Sequence, residues 1–95
     1  MIYKNYLLEI ANKRYSYNNL LNLIENEFEA SVKEGYNAIN IKFIRPDDVD
    51  LRIIERIISR LTREGLSVHI INSLNFRLSL YETVSSSEII KTTYL

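Results

Sequence analysis

Four arginines, at 52, 56, 60 and 63, recur at intervals of four, four and three residues. On a helix advancing 100° per residue they fall within roughly 80° of arc, a stripe of guanidinium groups. Such groups form bidentate contacts with phosphates or carboxylates, and the stripe is a candidate surface for nucleic acid or an acidic partner. A second set combines the cations Lys42, His69 and Arg77 with the ring of Tyr81, a mixture that single-stranded nucleic-acid platforms use for phosphate contact and stacking. Each set also has a plainer explanation. Spacing along the helix lets Asp48 pair with Arg52 and Arg60 with Glu64, which makes the stripe a solvated face, with Arg56 and Arg63 left over. The second set fits an exposed polar sheet, and next a dimer or partner interface.

The same inventory argues against catalysis. His69 is the only histidine and there is no cysteine, so a nucleophile with an activating base would need Ser or Asp partners from distant places. Asp47, Asp48 and Asp50 lie close enough to suggest a cation site, but capping of the next helix explains them more simply. Only two glycines occur, each at a helix end, so neither a phosphate-cradling loop nor a dinucleotide fingerprint can be built. No catalytic residue, metal or cofactor is expected.

The elements that position these residues follow from two repeated phrases. Lys33-Glu34-Gly35-Tyr36 precedes Asn37-Ala38-Ile39-Asn40-Ile41, and Arg63-Glu64-Gly65-Leu66 precedes Ser67-Val68-His69-Ile70-Ile71. A glycine can take the left-handed conformation that closes a last helical turn, so each phrase marks a helix giving way to a strand. Ser16 is a suitable N-cap for the first helix, on which Leu20, Leu21, Ile24, Phe28 and Val32 share one side. The alternation of Ile39, Ile41 and Phe43 with Asn40 and Lys42 predicts a strand over 38–44 that is buried on one side. Arg45-Pro46-Asp47-Asp48 breaks the chain, and a second helix is expected from about Asp48 to Glu64 with Leu51, Ile54, Ile57, Ile58 and Leu61 as its apolar arc.

Val68 and Ile70 alternate with Ser67 and His69. After the turn Asn72-Ser73-Leu74-Asn75, Phe76, Leu78 and Leu80 alternate with Arg77, Ser79 and Tyr81, which predicts a hairpin. The strands flanking the second helix should be parallel with a right-handed crossover. In residues 2–13, Tyr3, Tyr6, Leu7 and Ile10 recur at helical spacing while Tyr6, Leu8 and Ile10 alternate as in a strand, and the helix is the favoured of the two. Ser85 and Glu88 are suited to opening a short helix, the Ser85-Ser86-Ser87 run to a turn, and Ile89–Leu95 to either a strand or a tail.

In every strand one side is apolar and the other polar, whereas a sheet covered on both sides would read as unbroken apolar runs. The expected fold is therefore α/β, in the form of an α+β two-layer sandwich of order (α)-α-β-α-β-β. A mixed sheet of three to four strands has both main helices on one face. The other face is open and carries Asn40, Lys42, Ser67, His69, Arg77, Ser79 and Tyr81. Burying Ile39, Ile41, Phe43, Val68, Ile70, Phe76, Leu78 and Leu80 beneath the helices should contribute about 1.5–3 kcal/mol per large side chain before entropy is counted.

At 95 residues the chain is one domain with a single core. Twelve basic residues balance 12 acidic ones, so attraction to a polyanion must come from local clustering rather than net charge. The first helix carries Glu25, Glu27, Glu29 and Glu34 against Lys33, opposite in sign to the arginine helix. Such complementarity serves either self-association as a homodimer or neutralisation within one molecule. Seven tyrosines, with Tyr3, Tyr6, Tyr15 and Tyr17 near the N-terminus, favour surfaces that make contacts. No apolar run approaches the ~20 residues that span a bilayer, and no signal-peptide pattern opens the chain, which predicts a cytoplasmic protein without a membrane partner.

Isoleucine, asparagine and tyrosine, whose codons are AT-rich, are abundant, with one proline and no tryptophan. With the short length and the helix, glycine, strand plan over residues 17 to 82, the chain resembles the small α/β orphan proteins encoded by bacteriophages and other viruses of AT-rich hosts. The resemblance brings no family motif and no functional residue. It implies a small non-enzymatic interaction protein in a host cytoplasm, binding a protein, itself or nucleic acid.

Overall fold

A computed structural model of the chain describes residues 15–81 and 89–95. Helix α1 spans Tyr17–Lys33 and is followed by strand β1, Ala38–Lys42, a 3-10 turn at Pro46–Asp48, and helix α2, Leu51–Arg63. Strands β2, Ser67–Asn72, β3, Asn75–Ser79, and β4, Ile90–Tyr94, complete a mixed four-stranded sheet of order β2-β3-β1-β4. The fold is the expected α+β sandwich. Residues 2–13 and the serines 85–87 lie outside the described residues, as do Tyr3 and Tyr6.

Both helices stop by the same mechanism. Gly35 and Gly65 have φ of +104° and +94°. In the first cap Tyr36 N–H donates to the Ser31 carbonyl and Gly35 N–H to that of Val32, at 3.0 Å each. In the second, Leu66 N–H reaches the Leu61 carbonyl at 3.2 Å and Gly65 N–H that of Thr62 at 3.1 Å. This paired geometry satisfies carbonyls that a helix end otherwise leaves open, and it turns the chain straight into a strand. At the other end of α1, Ser16 caps through Asn19 N–H.

The second helix begins later than its sequence suggests. Proline fixes a 3-10 turn, Val49 follows in extended conformation and is buried, and Asp50 is the N-cap, accepting from Arg52 N–H at 2.9 Å. The apolar arc shifts accordingly. Ile54, Ile57 and Leu61 are buried, whereas Leu51, in the first turn, is exposed.

Strands β1 and β2 run in the same direction, but β3 lies between them, antiparallel to both. The tight turn at Asn72–Asn75, where Leu74 N–H bonds the Asn72 side chain at 2.9 Å, brings β3 back before β2 can reach β1. On its other side β1 pairs in parallel with β4, which settles the C-terminal segment as a strand. Asn37 fixes that register by clamping Ile89, its N–H donating to the Ile89 carbonyl and its side chain accepting from Ile89 N–H.

One core lies between the helices and one face of the sheet. It joins Leu20, Ile24 and Phe28 of α1, Ile54, Ile57 and Leu61 of α2, and Ile39, Ile41, Phe76 and Leu78. Tyr15 closes one end, edge-on to Phe43 at 6.4 Å, and is a core residue rather than a contact-making surface ring. Three side chains expected beneath the helices are less covered: Val68 is half-buried, and Ile70 and Leu80 are exposed. Val68 and Ile70 lie on β2, the edge strand, and Leu80 lies past the end of β3, where neighbours are missing on one side.

Candidate functional site

Strand registers align the outer face of the sheet in rows. One row runs His69, Arg77, Asn40, Thr92 across β2, β3, β1 and β4. The next holds Asn75, Lys42 and Tyr94, and a third holds Ser67, Ser79, Ala38 and Ile90. Residues directly opposite in a ladder share a face, so these side chains form a single surface. Arg77 is held in the middle of it, its Nε donating to Asn40 Oδ1 at 2.9 Å. Lys42 and Arg77 are half-buried, while His69, Thr92 and Tyr94 are exposed.

Those rows contain no carboxylate. The acidic side chains of the described residues lie on the helices, at their ends or in the 3-10 turn, so among the described residues the sheet's outer face carries two permanent cations and no carboxylate. The sequence brought Asn40, Lys42, Ser67, His69 and Arg77 to this face correctly. Ser79 lies on it too, but covered, and Tyr81 falls outside the strand. Ser79 is only 6% exposed and its neighbour Ala38 is fully buried, so the face is closed at that end. Tyr81 is 64% exposed, but β3 ends at Ser79 and no ladder holds the ring on the face. The ring that the ladder does hold is Tyr94, 62% exposed, which the unresolved strand-or-tail alternative for the C-terminus had concealed. Alternation over Ile90, Thr92 and Tyr94 is the signal that points to it.

The arginine stripe is largely engaged by its own molecule. Arg52 forks onto Asp50, with Nε to Oδ1 at 3.2 Å and Nη2 to Oδ2 at 2.9 Å, where sequence spacing had suggested Asp48. Arg60 pairs with Glu64 at 2.8 Å, as expected. The hydrogen bond to Glu64, then its charge, push the Arg60 pKa up, with Tyr17 and Glu25 of α1 adding to the effect. Arg56 lies over the Tyr17 ring, 4.4 Å from its centroid, a cation–π contact between the two helices. With Glu55, Ser59 and Arg63 these residues line a shallow groove of about 340 Å³. Two of the four carboxylates of the acidic helix are likewise answered within the molecule, Glu29 by Lys33 and Glu34 by Lys91, each at 3.2 Å.

A second cleft, about 420 Å³, opens between the C-terminal halves of the helices. Its floor is Phe28, Val32, Leu61, Leu66, Leu78 and Leu80, and its rim carboxylates include Glu29 and Glu64, the residues already paired with Lys33 and Arg60. Among the described residues no cluster of three or more His, Asp or Glu side chains is arranged to hold a metal ion. None of their helices is long and apolar enough to cross a membrane. His69 stands exposed on the edge strand opposite Arg77. No protein-family model, curated protein or solved structure matches this chain.

Proposed function

We propose that the chain is a non-enzymatic interaction protein that docks an anionic macromolecule on the outer face of its sheet. The observation that carries this reading is the set of aligned rows with Lys42, Arg77 and His69 and no carboxylate among them. Rows whose described residues carry charge of one sign steer an oppositely charged partner and strengthen its encounter, even where net charge is zero. The arginine stripe is the weaker candidate. Arg52 and Arg60 are answered by Asp50 and Glu64, and Glu55 dilutes what remains.

Single-stranded nucleic acid is the partner class that the exposed ring of Tyr94 favours over an acidic protein. A ring at the end of the Lys42 row offers a base a stacking surface within reach of a phosphate contact. Thr92 and Asn40 add polar groups beside it. A viral or phage source and a host-cytoplasmic setting go with this reading and are supported by the AT-rich-codon composition alone.

Fluorescence anisotropy with a labelled oligothymidine, over a salt series, is the test. Binding should weaken with salt, with a slope near −0.7 for each phosphate neutralised on a single strand. Lys42→Ala should reduce that slope by about one such unit, and Tyr94→Ala should cost about 1–3 kcal/mol of affinity. Equal binding of polyglutamate, unaffected by Tyr94→Ala, would assign the face to an acidic protein instead. Absence of salt-dependent binding to either polymer would refute the reading.

A further inference from the structure

The outer edge of β2 is a strand with one neighbour: among the described residues it bonds β3 on one side and nothing on the other. Proteins commonly guard such an edge with charged side chains, proline or a bulge. Ser67–Asn72 contains no Lys, Arg, Asp, Glu or Pro, and a bulge between Ile70 and Asn72 is the one guard present. Ile70 and Ile71 stand 59% and 46% exposed there.

Helix α2, which packs on β2, continues this apolar strip. At 100° per residue Leu51 and Ile58 lie about 20° apart, on the flank roughly 80° past the centre of the buried Ile54, Ile57 and Leu61 arc. Arg56 and Arg60 lie towards the opposite flank, where Arg56 stacks over the Tyr17 ring of α1. The Leu51 flank therefore faces away from α1, towards the β2 edge. Because β2 turns back under α2 straight after Gly65, the first turn of α2, with the 46% exposed Leu51, lies towards the Ile70 and Ile71 end of the strand. None of the four arginines lies on this flank, and Glu55, about 40° from Leu51, borders it on the solvent side.

We propose that this edge is where two copies of the chain join, β2 pairing antiparallel with β2 of the second copy across a two-fold axis. An apolar strip with unpaired backbone groups along β2 complements itself, and antiparallel pairing of identical strands is isologous and closes at two. The other edge strand, β4, carries Lys91 and offers no matching strip. Pairing joins two four-stranded sheets into one of eight. With the axis perpendicular to the sheet, the outer faces of the two copies lie on the same side, which doubles the surface that carries Lys42, His69 and Arg77. The dimer itself does not depend on what that face binds.

Light scattering after size exclusion, over a concentration series, reads the mass. The native chain should reach twice its 11.2 kDa, and Ile70→Lys should remain at 11.2 kDa with an unchanged circular dichroism spectrum. Should Ile70→Lys lose that spectrum, Ile71→Lys must give the same dissociation with the fold retained. Arg56→Glu should leave the dimer intact, and β2 amides should exchange more slowly as concentration rises. A native chain that stays monomeric throughout overturns the proposal. So does a dimer that survives both folded lysine variants, or one that Arg56→Glu dissociates while they do not.

Discussion

Replacing Gly35 by alanine isolates the device that ends each helix. The backbone there has φ of +104°, and a Cβ added to it would meet nothing within 4 Å. The cost is therefore one of backbone conformation, free of steric collision. Holding an L-residue at positive φ costs about 1–3 kcal/mol, against which alanine returns about 0.4–1 kcal/mol by restricting the unfolded chain. A net loss of about 1–2 kcal/mol follows, and about 1 kcal/mol lowers Tm by about 4–8 °C in a domain of this size. Urea unfolding followed by circular dichroism should show a lower midpoint with the slope unchanged, because the surface exposed on unfolding is the same. Gly65→Ala serves as an internal replicate, since φ is +94° and its surroundings are equally open. Gly35→Asn should recover part of the loss, because asparagine tolerates the left-handed region. An unchanged or raised midpoint in both alanine variants would refute the idea that positive φ at these glycines is what closes the helices.

Two smaller perturbations address other parts of the fold. Asp50→Ala removes both the N-cap of α2 and the fork to Arg52, and loss of the cap alone should lower stability by about 0.5–2 kcal/mol in the same unfolding assay. Thr93→Val replaces a buried hydroxyl that has no hydrogen-bond partner among the described residues with a methyl of similar size, and should stabilise the fold by about 1 kcal/mol, read as a higher urea midpoint.

Local rules account for what was legible in the sequence. The two glycines act within a few residues, so both helices and their C-terminal ends are legible, and one-sided alternation in Ile39 to Phe43 and Phe76 to Leu78 puts both helices on one face. What escaped depends on distant parts of the chain. Whether β3 lies beside β1 or outside β2 is decided by backbone pairing among segments whose alternation looks alike. Nothing near Ile90 announces that β1 awaits it in parallel, so Tyr94 was missed and Tyr81 was preferred. The start of α2 was misjudged because three aspartates compete for one cap, and Pro46 selects a 3-10 turn that leaves the role to Asp50. The exposure of Ile70 and Leu51 belongs to the edge of the sheet, and no periodicity identifies which strand will be the edge.

The central claim is that the outer face of the sheet, rather than the arginine helix, meets the partner. Amide chemical shifts of the labelled chain titrated with oligothymidine test this residue by residue. The account predicts shifts concentrated at Asn40, Lys42, His69, Arg77, Thr92 and Tyr94, with Arg56, Ser59 and Arg63 unmoved. Shifts confined to α2, with the sheet rows silent, would contradict it.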